Sequence, residues 1–301
     1  MKILCAVDGS EFSQWAITAL GALGRDPLTS MTLLHVADTR HLKQAGSPHI
    51  TGYRGAKAAL EKAGEQLLRQ AAHQADEALS QSAINPRTAI RSLLLEGNPA
   101  STIAQLAARG RYNLIIVGTR GLSDVKGFLM GSTSRKVAAI ASCPVLVVKR
   151  PMGMLNRVFL AVDDSRHSRR AARFLRSGIL PETSSITIFS AVQAPLTELA
   201  ARYLSQADRQ TLIRPAADQA ERLVGNLRDD FLKEGYTVST DIEINHVIES
   251  IIKHIKSSQT DLLVIGSRGL TKRERLYLGS VSESLLKHAP CSVLIVRGAR
   301  V

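Results

Sequence analysis

Glycines at two places in the chain have the spacing of a loop that brings the backbone close to a phosphate. Gly118 is followed by Gly121 and then, after nine intervening residues, by Gly131 and Ser132. The same arrangement, Gly-x2-Gly-x9-Gly-Ser, begins again at Gly266. Because glycine lacks a Cβ atom, it permits a tight turn and a close approach of the main chain to a ligand. The alternative is a turn and a helix cap that bind nothing.

Each third glycine precedes a hydroxyl-rich segment with the pattern of a helix start. The segment is Ser132-Thr133-Ser134 in the first copy and Ser280-Val281-Ser282 in the second. Free N–H groups at a helix N-terminus, together with the helix dipole, favour a bound phosphate. We expect Ser132 and Ser280 to be the N-cap residues of these helices.

Alternating strands and helices must position the two loops. Five strands are predicted in the first half, near residues 2–8, 31–37, 88–95, 113–118 and 145–149. Five more are predicted in the second half, near residues 157–163, 185–192, 237–244, 261–266 and 292–297. Helical spacing occurs at 13–23, 56–80 and 103–108. Because the strands are nearly continuous apolar runs, the sequence predicts an α/β fold with two tandem, doubly wound, five-stranded parallel-sheet domains.

The second half of the chain repeats the first. Asp8 and the apolar run before it match Asp163 at an offset of 155 residues, and the two glycine loops match at an offset of 148 residues. Pro151 and Gly153 interrupt the pattern between the copies. We therefore predict two domains, residues 1–150 and 151–301.

The predicted topology brings the polar ends of two strands together in each half. Asp8 and Asp163 each end a first strand, and Gly118 and Gly266 each end a fourth strand. Ligands of doubly wound sheets bind beyond the carboxyl ends of the strands, where the strand order reverses. We expect one such crevice in each half.

Composition limits the class of protein and its surroundings. The 301-residue chain has a formal net charge of +13, which suits phosphate-bearing partners but also fits a basic, solvated surface. Its three cysteines include no Cys-x-x-Cys pair, which excludes a disulfide framework and the usual zinc spacings. No apolar run approaches the ~20 residues of a membrane helix, and the N-terminus lacks a signal-peptide core. We expect a cytoplasmic protein that does not contact a membrane.

Three segments together resemble the universal stress protein family. They are Asp8-Gly9-Ser10, the paired glycine loops and the last strand of the first half, Pro144-Val145-Leu146-Val147-Val148. The resemblance extends over nearly the whole chain, and the two copies make it similar to a tandem member. It implies a fold related to the adenine nucleotide α-hydrolases. The glycine pattern is similar to that of the branch of the family that binds ATP.

The resemblance also implies which residues bind the nucleotide, ATP with or without Mg²⁺. Asp8 would contact the adenosine, and Val36 would bind adenine through its backbone. The residues implied along the ribose and the phosphates are Gly118, Arg120, Gly121, Gly131, Ser132 and Ser134. The equivalent set in the second half is Asp163, Ala191, Gly266, Arg268, Gly269, Gly279, Ser280 and Ser282. The sequence points to no metal-ligand set of the protein itself.

The second half departs from the first at two turns. Its first turn, Asp163-Asp164-Ser165, has an additional carboxylate that would repel phosphates if it pointed into the crevice. It also has Asn245-His246-Val247 where the first half has Gly97-Asn98-Pro99. Against that repulsion, four cations crowd the second glycine loop: Arg268, Lys272, Arg273 and Arg275. We expect ATP to bind more tightly in the first half than in the second.

Several residues also have plain structural interpretations. Asp8 would cap the turn that follows it, and His35 would be a satisfied histidine of the core or rim. Cys143 and Cys291, at equivalent entries to the last strands, are expected to be small buried residues. Trp15 is expected to pack the first helix on the sheet.

The leading hypothesis is an ATP-binding regulator of the stress response. Nucleotide would shift a conformational or assembly equilibrium, and the effect would pass to an unidentified protein partner. The resemblance implies an intramolecular pseudo-dimer of the two domains through their last strands, 145–149 and 292–297, and further homodimerisation.

Two other functions remain open. One is a slow ATPase or adenylyl-transfer enzyme of the same fold. The sequence has no Gly-x4-Gly-Lys-Ser/Thr loop and no general base placed by its spacing, so we expect no catalytic residues; Asp124 and Asp164 are weak candidates. The other is a nucleic-acid or lipid-binding module, which rests on the net charge alone.

Overall fold

The structure is a computed structural model that describes residues 1–24, 30–40, 51–80, 88–121, 130–192, 203–244, 246–269 and 278–298. Its strands are β1 (Lys2–Ala6), β2 (Ser30–Ala37), β3 (Ala89–Glu96), β4 (Leu114–Gly118), β5 (Val145–Val148), β6 (Arg157–Val162), β7 (Ser185–Ala191), β8 (Thr237–Glu243), β9 (Leu262–Gly266) and β10 (Ser292–Val296). Its α-helices are α1 (Glu11–Thr18), α2 (Thr51–Ser80), α3 (Pro99–Arg109), α4 (Ser132–Ile140), α5 (Arg166–Phe174), α6 (Gln206–Lys233), α7 (Val247–Ser257) and α8 (Ser280–His288). The predicted α/β class is confirmed.

The ten strands in the described residues form one sheet, in the order β3-β2-β1-β4-β5-β10-β9-β6-β7-β8. The five strands within each half are parallel. The two halves join where β5 and β10 pair antiparallel, with Leu146 opposite Leu294. The expected contact between the last strands is therefore present, and it makes one continuous sheet of the two halves.

Burial along the strands explains why the central strands are nearly all apolar. Every residue of β9 and β10 is buried, because helices cover both faces of the sheet. The edge strands β3 and β8 are partly exposed and contain charged residues. The strand order reverses between β1 and β4 in one half and between β6 and β9 in the other, so the crevices lie there.

Two apolar clusters, one on each face of the sheet, fill the space between the layers. One contains residues from α1, α2, α5 and α6 and the other contains residues from α3, α4, α7 and α8. Each cluster includes residues of both halves. The halves also meet away from the seam, where the Gly24 N–H donates to the Ile179 carbonyl at 2.7 Å.

Helix starts are set by side chains that the apolar pattern does not reveal. The pattern predicted a helix at 13–23, but α1 begins at Glu11 because the Ser10 hydroxyl accepts a bond from the Ser13 N–H. Its α-helical part ends at Thr18, and a 3₁₀ turn continues to Ala22. Likewise α3 begins at Pro99, earlier than predicted, because the Asn98 side chain caps it.

None of the described helices is both long enough and apolar enough to cross a membrane.

Candidate functional site

The first crevice is a cavity of about 420 Å³ at the carboxyl ends of β1 and β4. Its size lies within the range of small-molecule sites. Six of the eight predicted first-half residues line it: Asp8, Val36, Gly118, Arg120, Ser132 and Ser134. Gly121 and Gly131 are not among its lining residues. Lining residues that sequence reasoning did not single out as ligands include Asp38, Arg40, Asn98, Thr133 and Lys136.

Helix α4 begins at this cavity, and no side chain in the described part of the chain caps it. Its N-cap is Gly131, with φ −72° and ψ 153°. Ser132 is the first helical residue, so the expectation that it is the N-cap is wrong. Because a glycine cap supplies no side-chain oxygen, the N–H groups of the first turn can donate to a ligand. Ser132, Thr133 and Ser134 all line the cavity.

Ser134 holds the loop and helix together from inside. Its hydroxyl lies 2.8 Å from the Thr119 carbonyl and 3.1 Å from the Gly131 carbonyl, and its side chain is buried. The Gly131 N–H also donates to the Thr119 carbonyl at 2.8 Å. The Ser134 hydroxyl thus anchors the turn in this structure, and its implied contact with a phosphate stays a prediction.

Asp8 organises the turn between β1 and α1. Its Oδ1 atom accepts bonds from the Ser10 N–H at 3.0 Å and the Ser10 hydroxyl at 2.6 Å. Between them Gly9 has φ +81°, a conformation that favours glycine. Asp8 therefore caps the turn that follows it, as its structural interpretation predicted, and the same carboxylate also lines the cavity.

Arg120 is a cation placed in the cavity wall. Its guanidinium carbon lies 5.7 Å from the centre of the Phe12 ring. Its Nε atom is buried and has no hydrogen-bond acceptor among the described residues. A buried donor without an acceptor is costly, so this nitrogen would be stabilised by an anionic ligand oxygen.

Gly118 has a packing role beside its place in the cavity. A Cβ atom added there would lie 2.6 Å from the Phe12 backbone carbonyl carbon. The glycine therefore lets α1 pack directly on the end of β4. Gly266 has the same relation to His167 and Ser168 in the second half, with backbone atoms 2.8 Å away.

The second crevice is a cavity of about 380 Å³ between the ends of β6 and β9. Its lining includes all eight residues implied by the family resemblance: Asp163, Ala191, Gly266, Arg268, Gly269, Gly279, Ser280 and Ser282. Helix α8 begins there with Gly279 as its N-cap, so Ser280 is not the N-cap either, and no described side chain caps this helix. The buried Ser282 hydroxyl donates to the Gly266 carbonyl at 2.8 Å.

The additional carboxylate of the second half is held by neighbouring side chains. Asp164 has φ +61° where the first half has Gly9. Its Oδ1 accepts from Arg169 Nε at 2.7 Å, and its Oδ2 accepts from the Gln219 side chain at 3.0 Å. It lines the cavity, but an arginine compensates its charge, which weakens both the expected repulsion and the case for a catalytic base.

His167 occupies the place of Phe12 in the second half. Its Nδ1 atom lies 3.1 Å from the Ser267 hydroxyl oxygen. Burial lowers the pKa of His167, and four nearby arginines (Arg166, Arg170, Arg268 and Arg297) lower it further. Because each of these effects disfavours the protonated ring, a neutral imidazole is favoured beside this cavity.

The residues given plain structural roles behave as expected. His35 Nδ1 lies 2.8 Å from the Val7 carbonyl and donates to it. Cys143 and Cys291 are buried, and burial raises the pKa of both thiols, which makes them poor nucleophiles. The Trp15 ring packs against the core beside Phe12. Asp124, Asn245 and the basic residues Lys272, Arg273 and Arg275 lie outside the described residues.

Comparisons with known proteins agree with this architecture. The model of the universal stress protein family matches residues 1–149 and again residues 154–297. The chain belongs to the universal stress protein family. Two matches in one chain make it a tandem member, as the internal repeat predicted.

Relatives occur in full-length and half-length forms. The universal stress protein Slr1230 of Synechocystis is 23% identical and covers 98% of this chain and 99% of its own length. The universal stress protein YxiE of Bacillus subtilis is 29% identical over 49% of this chain and 98% of its own length. A solved universal stress protein from Archaeoglobus fulgidus covers 98% of both chains at 22% identity, with a TM-score of 0.67, and supports the fold.

Proposed function

We propose that this universal stress protein binds an adenine nucleotide, ATP, in the crevice of each half and acts as a nucleotide-dependent regulator in the stress response. One observation carries the proposal. In both halves, a helix that has a glycine N-cap, and no side-chain cap among the described residues, begins at a cavity on the carboxyl edge of the sheet. Backbone N–H groups in that position favour phosphate oxygens.

The lining residues of the first cavity fit the two ends of such a ligand. Val36 and Ile103 supply apolar surface for a base, and Asp8 supplies a carboxylate for the hydroxyl groups of a ribose. The start of α4 and Arg120 would hold the phosphates. When bound, the nucleotide would supply the charge that pairs with the buried Arg120 Nε atom.

Charge favours the first cavity for phosphate binding. Apart from Arg40 and Asp38, which pair with each other, its lining has two cations, Arg120 and Lys136, against one carboxylate, Asp8. Apart from Asp164, which pairs with Arg169, the described lining of the second cavity has one cation, Arg268, against one carboxylate, Asp163. The first half is therefore the tighter of the two proposed ATP sites, with Mg²⁺ as a counter-ion of the phosphates.

A regulatory role fits the contact between the two phosphate-binding helices. Arg135 in the first turns of α4 lies 3.4 Å from Glu283 of α8, so the start of one helix touches the start of the other. A phosphate that moves one helix would act on the other half and on any partner bound there. We also propose a cytoplasmic location, from the cysteine content of the sequence, and homodimerisation.

The first experiment measures the nucleotide that the purified protein retains. The protein is denatured, and the released adenine nucleotide is identified and counted by mass spectrometry. We expect between one and two molecules for each chain, with the loss of one in the Gly131→Val variant because its side chain would block close phosphate approach. No released nucleotide, with no uptake of ATP on titration, would contradict the proposal.

A pair of arginine variants tests the phosphate contact in the first cavity. Arg120→Met should weaken ATP binding by roughly 10-fold to 100-fold, the range of a charge-assisted hydrogen bond. Arg40→Met is the matched control, because Arg40 lines the same cavity but is paired with Asp38. Adenosine affinity should not change in Arg120→Met, and an equal loss for adenosine and ATP would argue against a phosphate contact.

A further inference from the structure

A second group of chemically active side chains lies on the edge strand β8 and the neighbouring helix α7. Asp241 and Glu243 are alternate residues of the edge strand β8, and His254 is on the helix α7. His254 Nε2 lies 2.7 Å from Glu243 Oε1 and 3.3 Å from Asp241 Oδ2. One ligand atom from each residue lies within 4.8 Å of the other two, and all three residues are half-buried.

The internal duplication provides a comparison for these three positions. The sheet register places Asp241 beside Phe189 and Glu243 beside Ala191, where the first half has Leu93 and Leu95. His254 is the eighth residue of α7, and the eighth residue of α3 is Leu106. In the first half, Leu93, Leu95 and Leu106 all pack against the same apolar cluster. Three apolar positions of one half are thus all metal-ligating residue types in the other.

We propose that Asp241, Glu243 and His254 form a binding site for one divalent transition-metal ion, a function separate from nucleotide binding. Ligand atoms bonded to one ion at about 2.1 Å are roughly 3.0–3.4 Å apart. The distances from His254 Nε2 to the two carboxylates approach that spacing, so small side-chain movements would enclose an ion. One imidazole with two carboxylates suits Zn²⁺, Fe²⁺, Co²⁺ or Mn²⁺ better than Ca²⁺ or Mg²⁺.

The surroundings of His254 restrict its ring in a way that suits a ligand. The ring centre lies 4.9 Å from that of Phe189 and 6.2 Å from that of Phe159, and both phenylalanines are fully buried. A ring packed in this way presents Nε2 to the carboxylates with little loss of rotamer freedom on binding. Phe189 also lines the second cavity, so an ion here would stiffen one wall of that cavity.

The competing interpretation is an ion pair between a protonated His254 and the two carboxylates. A metal-binding measurement distinguishes the metal site from the ion pair. The full chain is treated with a chelator, freed of nucleotide and Mg²⁺, and titrated with Zn²⁺ by calorimetry and with Co²⁺ by visible absorption. We expect one ion for each chain and cobalt bands typical of nitrogen and oxygen ligands.

Variants assign the ion to these residues. His254→Leu, which restores the first-half residue type, and Glu243→Gln, which keeps the shape, should each weaken Zn²⁺ binding by at least about 100-fold, since even outer-shell changes cost 10-fold to 100-fold. His73→Leu is the control, because His73 and Glu77 form an exposed pair on α2 that could hold zinc adventitiously.

The metal site is supported if His254→Leu and Glu243→Gln both lose Zn²⁺ binding while His73→Leu retains it. If His254→Leu does not fold, as judged by circular dichroism, Glu243→Gln decides alone. Absence of saturable binding to the parent protein, or binding unchanged in Glu243→Gln, would overturn the metal site and leave the ion pair.

Discussion

Individual glycines of the two loops are constrained by packing as well as by any ligand. Gly118 and Gly266 were predicted as ligand-approach positions, and the structure places each against the backbone of a helix start. Gly279, in contrast, has Arg268 Cα as the nearest atom, at 3.3 Å from an added Cβ. The same residue type therefore has a helix-packing role in one place and a loop-packing role in another.

We predict that Gly118→Ala destabilises the protein by about 1–3 kcal/mol, because the new methyl group would meet the backbone of α1, which has little room to move. The measurement is urea unfolding. The control is Gly225→Ala in α6, where an added Cβ meets nothing within 4 Å and the helix should gain up to about 1 kcal/mol. A Gly118→Ala variant as stable as the parent would contradict the packing role.

His167 is expected to make the stability of the protein depend on pH. Its pKa in the folded state lies below the ordinary value of 6.5, so the unfolded chain takes up the proton first as the pH falls. Stability should therefore be lost as the pH falls below about 6.5. His167→Phe, which copies Phe12, should remove part of that loss when urea unfolding is compared at pH 7.5 and about 5.5. An equal loss in both proteins would contradict the assignment.

At the scale of elements, each half of the molecule caps a helix of the other. Lys149 Nζ donates to the Ala289 carbonyl at the end of α8 at 2.7 Å. Arg297 donates to the Ala138 carbonyl near the end of α4 at 3.0 Å and also to the Ala139 carbonyl. Cations at helix C-termini are stabilising. The two helices that start at the cavities thus end against the opposite half.

Lys149 makes this cap sensitive to pH. Burial lowers the pKa of Lys149 from 10.5 to about 8. Between these values the unfolded chain binds more protons, so this group raises stability as the pH rises from 8 to 10.5. In Lys149→Met that contribution should be missing from urea unfolding measured over the same range. Parallel pH profiles for the two proteins would show that the amine titrates normally.

At the scale of the whole molecule, the antiparallel seam and the shared apolar clusters couple the two halves. Each cluster includes residues from both halves, so neither half buries its core alone. We therefore expect one cooperative unfolding transition for the chain.

Trp15, the single tryptophan, lies in α1 of the first half, on the face of the sheet opposite the cluster that contains Leu263. Leu263→Ala, at a fully buried position of β9, should lower stability by about 2–5 kcal/mol. Because the halves are coupled, the Trp15 fluorescence transition should shift as far as the circular dichroism transition of the whole chain. An unmoved fluorescence midpoint would show that the halves unfold independently.

Local sequence determined the elements, the duplication and the two glycine loops, because apolar runs, glycine spacing and repeats are properties of neighbouring residues. Helix starts were predicted less well: α3 and α1 began earlier than expected, since single hydrogen bonds from Asn98 and Ser10 decide them. Ser132 and Ser280 were assigned as caps on residue type, and the glycine before each took that position instead.

Only the tertiary structure decided which distant residues meet. Asp241, Glu243 and His254 carry no motif spacing, and their contact arises from packing α7 against the edge of the sheet. The bond from Gln219 to Asp164 and the caps that Lys149 and Arg297 provide likewise join distant segments through the fold. The fold also leaves Arg120 Nε buried without an acceptor among the described residues. The backbone conformation that a residue prefers and the spacing of apolar residues depend on neighbours in the chain. The charges around a side chain depend on which surfaces the folded sheet brings together.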